Sequence, residues 1–170
     1  MLDEMDWRII RELQNDGRIK AKCLGEKLGV SHTTARERIL RLLRSGIIKV
    51  RADVGISRLG LRAAFLRVEV GDLLSALRAV ECLKRCNRTI MIGIATGDSN
   101  LILVTAGRDV AALMRFVEFV VKRLPAVRRV EVSVGEIVKP EYYPVDLTTP
   151  CPYTECAAFE EGLCLRGGDL

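Results

Sequence analysis

Apolar positions recur along this chain with two different periods, and the change of period divides it. In the first fifty residues the spacing is helical. Met5, Ile9, Ile10 and Leu13 fall on one face of a helix predicted over residues 3–15, with Asp3 as its N-cap, Asp6 in its first turn and Gly17 as its stop. Residues 20–51 then predict two short helices joined by a tight turn. Gly29 supplies the residue without Cβ that a sharp turn takes cheaply, Val30 anchors the turn in the core, and Ser31 has the hydroxyl of a helix N-cap. Ala35, Ile39 and Leu42 follow at i, i+4, i+7 and form one inward stripe. Ile47, Ile48 and Val50 predict a strand leaving this helix-turn-helix outline, and Asp53, Val54 and Gly55 predict a hinge.

Beyond about residue 60 the period shortens to two. Ala64, Leu66, Val68 and Val70 alternate with Phe65, Arg67 and Glu69, as in a half-buried strand ended by Gly71 and Asp72. Leu73, Leu74, Leu77, Val80 and Leu83 return to helical spacing. Apolar strands are predicted at 89–95 and 101–105, separated by a turn of Thr96, Gly97, Asp98, Ser99 and Asn100. Asp109 caps a second helix that carries Val110, Leu113, Phe116, Val117, Val120, Val121 and Leu124 and stops at Pro125. Val130, Val132 and Val134 alternate in a last strand, with Gly135 a candidate bulge. The order βαββαβ is the ferredoxin-like unit, an antiparallel sheet with both helices on one face. The expected class is therefore α+β: a winged or plain helix-turn-helix domain in residues 1–55, a ferredoxin-like βαββαβ domain in 60–145, and a tail in 146–170. A sheet whose outer face shows apolar residues on four strands predicts at least a dimer.

Charge sharpens the first half of this picture. The chain of 170 residues carries a net +5, of which residues 1–55 hold +4 and the remainder +1. Between Ser31 and Arg51, Arg36, Arg38, Arg41, Arg44, Lys49 and Arg51 stand against Glu37 alone. A cationic helix opened by short hydrogen-bonding side chains suits the major groove of double-stranded DNA, where arginine meets phosphates or guanine edges. The competing account is a solvated charged face. On the first account the candidate contacts are Ser31, His32, Thr33, Thr34, Arg36, Arg38 and Arg41. The acidic start and the lack of an 18-residue apolar run predict neither a signal peptide nor a membrane span, hence a cytoplasmic protein.

The residues 2–10 (LDEMDWRII), 13–18 (LQNDGR), 28–31 (LGVS) and 41–48 (RLLRSGII), in this order and spacing, resemble the N-terminal domain of the Lrp/AsnC (feast/famine) transcriptional regulators. One departure is Gly25, where that family usually has alanine. The resemblance extends over about residues 2–145 and implies a sequence-specific regulator, not an enzyme, that dimerises through its sheets and often assembles further, to a tetramer or octamer. It also implies an effector pocket, often for an amino acid, formed by the loop between the middle strands with the neighbouring subunit. Here that loop is Thr96, Gly97, Asp98, Ser99 and Asn100. Gly97 and Asp98 match the family pattern, whereas Ser99 and Asn100 replace an aromatic–aspartate pair, and the same residues also suit a simple hairpin turn. Siroheme decarboxylases share the two-domain plan and supply the alternative, an enzyme. Against it stands His32, the single histidine, at the start of the candidate DNA-contacting helix.

The tail has no counterpart in that pattern. Cys151, Cys156 and Cys164 have the spacing C-x4-C-x7-C, after a stretch holding Pro140, Pro144, Pro150 and Pro152. Three thiolates suit zinc or an iron–sulfur cluster, completed by Cys82, Cys86 or a partner's tail; disulfides and unpaired thiols are the other readings. A tail of this kind would let the regulator respond to metal or redox state. Cys23 is expected to be a small buried residue.

Overall fold

The computed structural model describes residues 2–143, and the chain divides into two compact units between Ala52 and Asp53.

The first unit is built of α1 (Glu4–Asn15), α2 (Ala21–Leu28) and α3 (His32–Arg44). Ile9, Ile10, Leu24, Leu28 and Leu42 form its core, with Met5, Leu13, Val30, Ile39 and Ile48 packed around them. Each such side chain taken from water contributes about 1.5–3 kcal/mol, which three short helices need because none would persist alone. Asp3 and Asp6 close a reciprocal capping box at the start of α1. Its end differs from expectation: Asp16, not Gly17, leaves the helical region, and its N–H still donates to the Glu12 carbonyl. The predicted strand does not form either. Ile48 turns into the helical core, Ile47 and Val50 stay about half exposed, and no residue of 2–52 lies in a strand, so the motif has no wing among the described residues. Without a partner strand, β-branched residues after a helix remain an extended segment. Cys23, expected in the core, is exposed on α2, whose buried positions are Leu24, Gly25 and Leu28.

The second unit contains β1 (Arg62–Val70), α4 (Leu73–Leu83), β2 (Thr89–Ile94), β3 (Leu101–Gly107), α5 (Val110–Phe119) and β4 (Val127–Gly135). The sheet is antiparallel throughout, in the order β2-β3-β1-β4. Ala64, Leu66, Val68 and Val70 of β1, with Leu101 and Leu103 of β3, meet Ala76, Ala79 and Leu83 of α4 and Leu113, Phe116 and Val117 of α5 in one core. The alternation in β1 thus reads directly as inside and outside. Three of the four leucines of α4 do not: Leu73, Leu74 and Leu77 are exposed, while Leu83 and the small Ala76 and Ala79 face the sheet. α5 ends at Phe119, and a 3₁₀ turn, Val121–Arg123, carries the chain on to Pro125. The bulge in β4 is not at Gly135, which pairs regularly with Ala63. It lies at Arg128, where the register with Glu69 and Val70 slips by one.

The opposite face of the sheet is part apolar and part charged. A second cluster of Ile56, Leu61, Ala106 and Tyr143 lies at one end, fixed by an antiparallel bridge between Val54 and Tyr143. Next to it Phe65, Ile90, Met91, Ile102, Val104 and Tyr143 line much of a hollow of about 400 Å³. Toward β4 the surface becomes ionic: Arg129 and Arg67 reach Glu131 at 2.9 and 3.5 Å, and Arg128 reaches Glu69 at 3.7 Å.

Candidate nucleic-acid interface

The turn between α2 and α3 is tight for a local reason. Gly29 takes φ +71° and Val30 N–H donates to the Gly25 carbonyl at 3.0 Å, folding the chain back over α2. A Cβ on Gly25 would lie 2.8 Å from the Val30 carbonyl oxygen, so glycine at this position permits an approach that a methyl group would push apart. Ser31 then caps α3, its Oγ accepting from Thr34 N–H at 3.0 Å and lying 2.8 Å from Thr34 Oγ1. Gly46, at φ +70°, ends the motif.

The structure sorts the candidate contacts into three groups. Ser31 and Thr34 bond each other and hold the start of the helix. His32, Thr33 and Arg36 are exposed, and Arg36 and Arg44 make no ion pair among the described residues. Arg38 and Arg41 lie on the flank of α3 that meets the start of α1. Arg38 Nη1 donates to Asp3 at 2.7 and 2.8 Å and to Asp6 at 2.9 Å, and Arg41 Nη2 lies 2.5 Å from each oxygen of Asp6. Asp6 is fully buried, so its charge is tolerated only because arginines and the Asp3 N–H surround it. The Arg38 guanidinium and then the Asp6 N–H hold the Asp3 carboxyl below its ordinary range, and Asp3 ahead of Asp6 raises Arg38.

Sequence reasoning placed the arginines on the surface and missed the acids that hold two of them. The signal was present as a matched spacing, Asp3 and Asp6 three residues apart on α1 and Arg38 and Arg41 three apart on α3. It also missed Leu40, whose exposed side chain lies beside Arg44 on the outward face.

In the second unit, Thr96, Gly97 and Asp98 are exposed between β2 and β3, with Gly97 at φ +106°. Asn100 is occupied structurally: Oδ1 accepts from Val70 N–H and Nδ2 donates to the Val70 carbonyl, both at 2.8 Å, so the amide continues the pairing of β1 with β3 past Val68 to the end of β1. Cys151, Cys156 and Cys164 lie outside the described residues, and among those described no group of three metal-ligating side chains converges. No helix among the described residues is long and apolar enough to cross a membrane.

A three-helix unit presenting a capped, arginine-bearing second motif helix, followed by a βαββαβ unit, defines a helix-turn-helix DNA-binding protein. Residues 2–43 match the AsnC-type helix-turn-helix domain. An uncharacterized HTH-type transcriptional regulator of Pyrococcus abyssi is 30% identical over 140 residues, covering 81% of this chain and 88% of its own. The leucine-responsive regulatory protein of Rhizobium meliloti is 29% identical over 134 residues, covering 76% and 84%. Among solved structures, a transcriptional regulator of Neisseria meningitidis in complex with L-Met shares the fold, with TM-score 0.72 and 22% identity over 82% of this chain and 92% of that one. The chain belongs to the Lrp/AsnC family of transcriptional regulators. These relatives are named as regulators and not as enzymes, and they do not favour the decarboxylase-like alternative.

Proposed function

We propose that this regulator binds duplex DNA as a dimer or a multiple of dimers, with the exposed face of α3 in the major groove of two half-sites about one helical turn, 10–10.5 bp, apart. The exposed Thr33, Arg36 and Arg44 on a helix whose N-terminus is held by Ser31 support this placement. The observation that carries self-association is the hollow on the outer sheet face. Phe65 and Met91 remain 37% and 51% exposed there, and a second copy of the same face would cover them. Light scattering of the full chain is expected to give at least twice 18.9 kDa at micromolar concentration, and a stable monomer would refute the dimer. Footprinting on a duplex selected from a randomised pool is expected to show two protected half-sites, and a single uninterrupted site would refute the paired mode.

An amino-acid effector at Thr96, Gly97, Asp98 and Ser99 is the finer part of the reading, and the L-Met complex of the Neisseria relative supports it. Asn100, tied to Val70, would shape the loop and not touch the ligand. Each of the twenty amino acids tested by thermal shift, with Asp98→Ala as control, checks it: no stabilisation by any of them removes the proposal.

A further inference from the structure

The acids at the start of α1 and the arginines on α3 make a four-member ionic array inside the first unit. Asp6 receives Arg41 on both oxygens at 2.5 Å and Arg38 at 2.9 Å, while Asp3 takes Arg38 on both of its own. Arg38 and Arg41 form the flank of α3 that reaches the start of α1; Thr33, Glu37, Leu40 and Arg44 recur at i, i+4, i+7, i+11 on the exposed side, and Arg36 lies beside them. Two of the four arginines of α3 are therefore matched by carboxylates of the same unit.

We infer that Asp3 and Asp6 set both the aim and the effective charge of the recognition helix: Arg38 and Arg41 are positioning residues, and Arg36 and Arg44 carry the phosphate contacts. The physical reason lies in what specificity requires. Each arginine free to meet a phosphate adds sequence-independent affinity, whereas discrimination depends on the ratio of specific to non-specific binding. Matching Arg38 and Arg41 internally lowers the non-specific term, and the buried carboxylate of Asp6 at the same time ties α3 to the first turn of α1. Exposure does not contradict this assignment. The Arg41 side chain is 56% exposed, yet the Nη2 of its guanidinium is committed to a carboxylate that is fully buried.

The inference rests on α3 being the recognition helix, and one series of variants separates the two claims. Affinity of the full-length protein is measured against salt for two DNAs: a duplex selected by the wild-type protein from a randomised pool, and calf-thymus DNA. A neutralised phosphate contributes about 0.9 to the slope of log affinity on log salt. Arg36→Ala and Arg44→Ala are each expected to lower the slope by about that amount. Arg41→Ala is expected to leave the slope unchanged on both DNAs while weakening the selected duplex alone, and Arg41→Lys, which restores a cation to Asp6, to recover that loss. Asp6→Asn is expected to raise calf-thymus affinity and steepen the slope by about 0.9 or more as Arg41 is released. Merely structural damage would lower affinity on both DNAs and steepen neither. Arg41→Ala lowering the slope as Arg36→Ala does would overturn the inference while leaving the recognition helix intact. If Arg36→Ala and Arg44→Ala also leave the slope unchanged, both claims fall. Should Asp6→Asn not fold by circular dichroism, the arginine series decides alone.

Discussion

The exposed face of α3 and the outer face of the sheet are both surfaces left open by their units, but they are prepared by opposite means. On α3 the side chains are long, charged and directed by other charges: Asp6 and Asp3 hold Arg38 and Arg41, and Arg36 and Arg44 are left to the solvent. On the sheet the prepared surface is a hollow between Phe65, Met91 and Val104, shaped by strand pairing and by the Val54–Tyr143 bridge. On the assignment proposed above, a charged partner whose sequence varies would be met by groups that act over several ångströms and are screened by salt. On the same assignment, an identical partner would be met by close-packed apolar area, which is insensitive to salt and unforgiving of shape.

The sharpest way to break that contrast is to place a charge in the hollow. Phe65→Asp is expected to convert the dimer to a monomer, at a cost of about 2 kcal/mol or more as for a central apolar anchor, read as the fall in mass by light scattering. The same substitution should leave the salt slope per protomer unchanged if the two surfaces are independent.

Asn100→Ala comes next. It leaves the Val70 N–H and carbonyl without their 2.8 Å partners and should destabilise the second unit by about 1–3 kcal/mol. Chemical denaturation followed in the sheet signal checks this; a midpoint equal to wild type would show that water substitutes fully for the amide.

Gly25→Ala tests the shape of the turn in the first unit. The gain in helix propensity, about 1 kcal/mol, is opposed by a methyl placed 2.8 Å from the Val30 carbonyl oxygen. Because the obstacle is backbone and not a movable side chain, the net expectation is a loss of about 1 kcal/mol in thermal stability of the helical signal. A raised melting temperature would show that the turn relaxes freely.

The smallest effect is acid sensitivity of the capping box. The carboxyl of Asp3 is depressed in the folded chain relative to its unfolded value of 3.8, so its stabilising contribution is present above about pH 4 and is lost as pH falls through the lower folded value. Asp3→Asn should flatten the pH dependence of helical stability below pH 4, measured by melting curves. An unchanged profile would place the acid-sensitive group elsewhere.

Periodicity alone determined most of the architecture. The alternation in 64–70 fixed which side of β1 is core, the caps at Asp3, Ser31 and Asp109 marked three helix starts, and the βαββαβ order implied the sheet; that Asp72, read as a strand end, also caps α4 emerged only from the structure. These features are legible because each depends on residues within one turn or one strand of each other. What tertiary structure decided depends on partners distant in sequence. Whether Ile47, Ile48 and Val50 become a strand depends on a neighbouring strand, and residues 2–52 contain none. Which face of α4 is buried was settled by how closely Ala76 and Ala79 could approach the sheet, not by the larger apolar surface of Leu73, Leu74 and Leu77. The fate of Arg38 and Arg41 was settled by acids more than thirty residues away, Asp6 lying 32 and 35 positions from them. A charge pattern read along one helix counts arginines; only the packing of α1 against α3 shows which of them are already paired, because an ion pair of this kind forms over a few ångströms and at a burial that sequence spacing does not encode.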